Sequence, residues 1–393
     1  MKNWFSFLSC TTAALALSTA IVAPAAENPM PAPKQYFVYF GTYTKAASKG
    51  IYLARLDVAT GKLSAPELAA ECRDPSFLAL HPNGQFLYAV EEGADGRREA
   101  GRGVSAYARD AVSGKLTLLN QQFCGGSGPC HITVDQTGKA VMVANYNSGS
   151  AISIRLQPDG RLGTIGSEIQ HTGSSVNRSR QSGPHAHAAT LSPDNRFVFV
   201  PDLGLDQVRV YRLDPNNATL AAHGPAFAAL PPGSGPRHIA FHPNGKSAYV
   251  INEMLCTVAA FRYDAQLGEL KELQNLSTLP AGETVKPGTS TAEIAVHPSG
   301  KFLYGSNRGH NSISVFTVDA STGQLAQVQN QSTLGRTPRH FGIDPTGTWL
   351  LAENQDTSNV AVFRIDARTG QLVHTGQLLE VPNPVCSVFA AAR

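Results

Sequence analysis

The 393-residue chain has little charge, few cysteines and, past its first 25 residues, no long apolar run. Charged residues make up 16% of it, below the roughly 25% usual for soluble domains, which argues against a coiled coil or charge-rich disorder. Its 32 Lys and Arg against 29 Asp and Glu leave a formal +3, too small and too scattered for a nucleic-acid footprint, so no nucleic-acid partner is expected. No later stretch approaches the ~20 apolar residues of a membrane helix, so no membrane span is expected. The six cysteines form no C-x-x-C pair, which excludes the usual zinc, redox and haem-attachment motifs. Cys124 and Cys130 could close a short disulfide loop, and buried thiols would explain them equally well. There is no G-x-S-x-G elbow and no H-E-x-x-H helix. Gly245-Lys246-Ser247 is not a phosphate-binding loop, because Ala240 stands where that loop needs glycine.

Glycine and proline are abundant instead, at 36 and 25 residues, and their placement is periodic. The N-terminus stands apart from this pattern. Residues 1–25 read as a secretory signal, with Lys2, an apolar stretch from Leu15 to Val22, and Ala23-Pro24-Ala25 as the small-residue cleavage site. Cys10 precedes the apolar stretch, the wrong order for a lipoprotein site. An exported, periplasmic protein is expected, with residues 26–35 as a linker.

From residue 36 onward one turn recurs: HPNG at 81–84, DQTG at 135–138, SPDN at 192–195, HPNG at 242–245, HPSG at 297–300 and DPTG at 344–347. Each copy precedes an alternating strand, such as FLYAV at 86, SAYVIN at 247 or WLLAEN at 349. Glycine accepts the positive φ of such turns, so the pattern signals hairpins. A second element, a strand closing on a turn and then Leu, occurs seven times, from LDVATGKL at 56–63 to IDARTGQL at 365–372. Four short strands repeated seven times predict an all-β, seven-bladed β-propeller over residues 36–393, a single domain. The first unit lacks its leading strand, and the chain ends in the unpaired, strand-like PVCSVF at 384–389. The C-terminal strand is therefore expected to complete the first blade and close the ring.

In such a ring the start of each first strand and the end of each second strand share one rim. Polar residues gather at both places: Pro129-Cys130-His131, Pro184-His185-Ala186-His187, Pro236-Arg237-His238, Ala292-Glu293 and Pro338-Arg339-His340 at the starts, and Glu91-Glu92, Asn145-Tyr146-Asn147, Asp202, Asn252-Glu253, Asn307-Arg308 and Glu353-Asn354-Gln355 at the ends. A concave polar mouth of this kind suits a small molecule. Guanidinium groups suit carboxylate or phosphate, which singles out Arg237, Arg308 and Arg339. His81, His242 and His297 lie in the repeated turn and read as structural, and Asn145 and Asp202 are as easily turn formers as site residues. Five histidines with Glu253 and Glu293 could in principle hold a metal, but the adjacent arginines disfavour a cation. No metal and no cofactor are expected.

At PHAHA (184–188), GPRHIAFHPNGKSAYVINE (235–253), YGSNRGHNSI (304–313) and PRHFGIDPTGTWLLAENQ (338–355) the chain resembles the seven-bladed propeller lactonases, a family that includes propeller-type 6-phosphogluconolactonase and 3-carboxy-cis,cis-muconate cyclase. The resemblance runs from about residue 36 to the end. It implies hydrolysis of a sugar (aldono)lactone, with His185, His187, Arg237, Glu253 and Arg308 as catalytic residues. His131, His238, Asn252, Asn307, Arg339 and Gln355 are further substrate-binding candidates. On this reading Glu253 or a PHAHA histidine is the general base and the other protonates the leaving ring oxygen, while Arg237 and Arg308 bind the anionic substituent and the oxyanion. A carboxymuconate cyclase-like enzyme and a non-catalytic periplasmic propeller that binds a ligand or a protein are the alternatives. A monomer is expected. Sugar phosphates are largely cytoplasmic, so an export signal points toward an unphosphorylated aldonolactone or a carboxylated lactone.

Overall fold

The computed structural model describes residues 33–392, except 46, 95 and 97–101, together with Met1, Lys2, Trp4–Ser6 and Leu8. Most of the expected signal segment and most of the linker lie outside the described residues. Among the described residues, 28 strands form seven four-stranded antiparallel sheets, each wound outward from the channel in chain order, as a propeller requires. Blade 1 is the exception that closes the ring. Its innermost strand is Pro384–Ala391, paired with Gln35–Thr42 and followed by Gly50–Asp57 and Glu67–Glu71. That last strand touches the inner strands of both neighbours, Pro338–Ile343 of blade 7 and Leu78–Leu80 of blade 2.

The core lies between blades. Phe37, Tyr39 and Leu53 of blade 1 pack on Leu87 and Tyr107 of blade 2, and Tyr249 and Ile251 of blade 5 on Leu303 and Phe316 of blade 6. The two repeated turns latch these seams. His81, His242 and His297 reach the carbonyls of Gly138, Gly300 and Gly347 in the corresponding turn of the next blade, at 2.7–3.0 Å. Tyr39, Tyr88, Tyr249 and Tyr304 donate to Gly114, Gly160, Gly323 and Gly370 in the other turn of the next blade. The turn histidines are therefore structural. Gly160 shows why glycine is needed here: its φ is +83°, and a Cβ would stand 2.3 Å from the Phe86 ring.

Candidate active site

The inner strands carry an irregularity that positions the site. In blade 5, strand Pro236–Phe241 pairs Pro236 with Asn252 and His238 with Ile251, leaving Arg237 as an extra residue. The same bulge frees Cys130 in blade 3 and Arg339 in blade 7, and blade 6 has one between Thr291 and Ile294. A bulge re-aims side chains that a regular strand would send to opposite faces. Arg237 and His238 consequently lie side by side, with Nη1 of Arg237 3.2 Å from Nε2 of His238. Blade 4 departs further. Its inner strand is only Thr190–Leu191, and the PHAHA segment ahead of it is held by one bridge, Ala186 to Asp202, and by backbone bonds to the neighbouring strand. His185 N donates to Asp202 Oδ1 at 2.7 Å, and His187 N to the Pro201 carbonyl at 2.9 Å.

These devices build two clusters. The first centres on Glu253, which follows the second strand of blade 5. Arg180 Nη2 lies 2.6 Å from its Oε1, while Arg308 Nη2 at 2.9 Å, Arg237 Nε at 3.5 Å and His187 Nε2 at 3.8 Å face its Oε2. Arg237 and Arg308 are also tied to the backbone, donating to the carbonyls of Ala292 and Thr291, both at 2.7 Å. Their Nε atoms are buried without an acceptor in hydrogen-bond geometry. Burial alone would raise the Glu253 pKa, but Arg308, Arg237 and Arg180 reverse this and hold it at about 2. Arg237 is lowered to about 10 by burial and then by Arg339 and Arg308.

The second cluster sits one residue further along the inner strands. His238 Nδ1 lies 3.1 Å from both Glu293 oxygens. His340 bridges Glu293, at 3.6 Å, and Glu353, at 2.9 Å. His131 stacks on Phe77 at 4.2 Å and meets His238 edge-on. Burial and the charges around them push His131 and His187 well below 6.5. His238 falls to about 4, by burial and Arg237 against the pull of Glu293. His340 goes up, since Glu293 and Glu353 outweigh burial.

The fold thus brings His187, Arg237, Glu253 and Arg308 into one cluster. His185 is adjacent, stacked on Tyr146 at 4.5 Å with Nδ1 2.9 Å from the Tyr146 carbonyl. A carbonyl only accepts, so Nδ1 carries the proton, and the Nε2 lone pair of the neutral ring is left free. His131 and His238 belong to the second cluster. Arg339 stands over the Tyr43 ring at 5.4 Å and 3.9 Å from Glu92.

Asn252 and Asn307 do not join either cluster. Both are fully buried strand-end residues, with Nδ2 of Asn252 spent on Thr257 of its own blade and Nδ2 of Asn307 on Ser312 and Ser314 of its own blade and on the Thr278 carbonyl just past the outer strand of blade 5. Gln355 is occupied at the rim by Asp356 and by backbone bonds to Thr337 and Asn383. Asn145 and Asp202 likewise serve the fold, Asp202 by accepting from His185 N and Gly204 N and pairing with His171. Cys124 and Cys130 are free buried thiols, the latter 3.7 Å from His187 Nδ1. Among the described residues no three His, Cys, Asp or Glu side chains are arranged to hold a metal ion. The sequence reading missed Arg180 entirely, although two arginines in the strandless stretch before PHAHA are a visible signal.

A seven-bladed ring whose mouth gathers guanidiniums, imidazoles and carboxylates defines a class of small-molecule propeller enzymes. Residues 37–389 match the family described as Lactonase, 7-bladed beta-propeller, and the chain belongs to it. It is 42% identical over 307 residues to a 6-phosphogluconolactonase of Bacillus subtilis (78% of this chain, 84% of that one), and 34% identical over 308 residues to a 6-phosphogluconolactonase of Formosa agariphila (77% and 85%). Among solved structures it resembles the periplasmic gluconolactonase of Pseudomonas aeruginosa, with a TM-score of 0.84 and 34% identity, covering 91% of this chain and all of that one.

Proposed function

We propose that this protein opens a sugar lactone of the gluconolactone or 6-phosphogluconolactone type by direct addition of water. The observation that carries this is the division of charge at the mouth: a carboxylate clamped by three guanidiniums beside a histidine with a free Nε2. At about 2, the pKa of Glu253 makes it a poor proton acceptor at neutral pH, so the base is assigned to His185 and Glu253 becomes the group that orders the arginines. His185 Nε2 takes a proton from water as its oxygen attacks the ring carbonyl. The carbonyl oxygen becomes an oxyanion, which the Arg237 and Arg308 guanidiniums stabilise; a preorganised donor of this kind contributes about 3–4 kcal/mol. Collapse breaks the acyl C–O bond of the ring, and the imidazolium returns its proton to the departing ring oxygen. The product is the open-chain hydroxy acid, with no covalent enzyme intermediate.

Similarity to a periplasmic gluconolactonase and the N-terminal signal pattern together support export to the periplasm, where an unphosphorylated or carboxylated lactone is the expected encounter. The protein is proposed to act as a monomer. The test is ring opening by the purified mature chain above the spontaneous rate, followed by acid release at a pH where the blank is slow. His185→Gln should lower kcat by about 10²–10⁴-fold. A His185→Gln enzyme with wild-type kcat would move the base elsewhere.

A further inference from the structure

Three guanidiniums face Glu253, and they are held differently. Arg237 and Arg308 have side chains 4% and 14% exposed and are each fastened to a main-chain carbonyl. Arg180 is 43% exposed, and its contacts are side-chain oxygens only, Glu253 Oε1 and the Tyr146 hydroxyl at 3.1 Å. The backbone that carries it is nonetheless fixed. Gln181, fully buried, donates to the Leu203 carbonyl and to Asp206 Oδ1, and Ser175 donates to Asp206 Oδ2 at 2.6 Å. The turn is pinned at its base and carries a cation whose tip is held only by exchangeable bonds at the solvent side of the cluster. Three positive groups around one carboxylate also leave positive charge uncompensated where a substrate must enter.

We propose that Arg180 selects lactones bearing an anionic substituent: its guanidinium turns from Glu253 to bind the phosphate or carboxylate of the substrate as it enters. This rests on the lactonase reading above and shifts recognition of the substituent from Arg237 and Arg308, which the backbone holds at the reacting carbonyl, to a residue outside the repeat pattern. A guanidinium pairs with either anion through parallel N–H bonds, so phosphate and carboxylate are alternative forms of one ligand chemistry.

The test compares kcat/KM on glucono-δ-lactone, on its 6-phosphate and on a carboxylated γ-lactone, for the wild type, Arg180→Gln and Arg180→Lys. Losing a charge-assisted bond should cost Arg180→Gln about 10- to 100-fold more on the anionic lactones than on the neutral one, mainly through KM, with Arg180→Lys between. The more affected anionic lactone identifies the natural substituent. Equal losses on all three would make Arg180 a support for Glu253 and overturn the proposal. Arg178→Gln, two residues away in the same turn, should leave the ratio alone; an equal shift there would reduce the effect to general surface charge. Calorimetry with the open-chain acids gives a readout independent of turnover. The wild type should bind an acid carrying a second anionic group, either 6-phosphogluconate or the corresponding 1,6-dicarboxylic acid, more tightly than gluconate, and Arg180→Gln should lose that preference, whereas equal binding of all three acids by the wild type would overturn the proposal. Absence of any lactone opening would strike the enzymatic reading separately.

Discussion

Glu253 and Glu293 lie one blade apart in the same channel, both buried and both held at about 2, yet their partners differ in kind. Glu253 is surrounded by guanidiniums, which stay charged at any pH the protein meets. Glu293 faces His238 and His340, whose protonation responds to its surroundings. The first arrangement is a fixed electrostatic device with exposed Arg180 as its movable part. The second is a buried bolt joining blades 5, 6 and 7 through His238, Glu293, His340 and Glu353. Two carboxylates in one ionisation state can therefore serve different ends, one presenting charge to a ligand and the other tying the ring together.

The sharpest way to break this comparison is to neutralise each carboxylate in turn. Glu253→Gln leaves three guanidiniums without their anion, and removing one partner of a buried pair costs about 3–5 kcal/mol. The urea midpoint should fall accordingly and kcat should collapse, because Arg237 and Arg308 keep their main-chain bonds but lose the anion that fixes the other end of each guanidinium. Glu293→Gln should destabilise comparably or somewhat less, since His238 can remain neutral when its partner goes. Here kcat should largely survive, provided the protein is assayed well below its melting temperature. A Glu293→Gln enzyme that stayed stable and lost its turnover would place chemistry in the second cluster and erase the distinction.

Legibility in the sequence followed the same division. The seven blades and their closure could be read because each latch needs a turn glycine at positive φ, and such glycines recur at the blade period. The PRH and PHAHA motifs were readable as well and pointed to Arg237, His185 and His187, while the polar ends of the second strands pointed to Glu253 and Arg308. The bulges were not, because an extra residue in an inner strand shows only in the pairing register, and it is the register that separates Arg237 from His238 in role. Asn252 and Asn307 fall outside both clusters for a related reason: a polar residue at a strand end gives no sign of whether it faces the mouth or bonds the strands and turns around it. Arg180 escaped because its partner is 73 residues away and nothing in its own segment repeats.

The smallest effects sharpen the comparison through pH. His238 has a folded pKa of about 4 against an ordinary 6.5, so between those values the unfolded chain takes up a proton that the folded chain refuses. Its contribution is intact above 6.5 and lost as pH falls toward 4, to the extent of at most about 3 kcal/mol. His340 has the opposite sign. Its folded pKa is raised by Glu293 and Glu353, so its stabilisation is complete below 6.5 and fades as pH rises through the folded value. Urea midpoints measured across pH 4 to 9 should therefore change slope in opposite directions in two variants. His238→Gln flattens the acid limb, and His340→Gln flattens the alkaline one. Glu253 leaves the alkaline limb untouched and bears on the acid limb only at its lowest end, since its titration lies between 4.5 and about 2 and its stabilisation is lost as pH falls through that window. A wild-type midpoint that stayed level from pH 4 to 9 would mean that the second cluster does not titrate and is as fixed as the first.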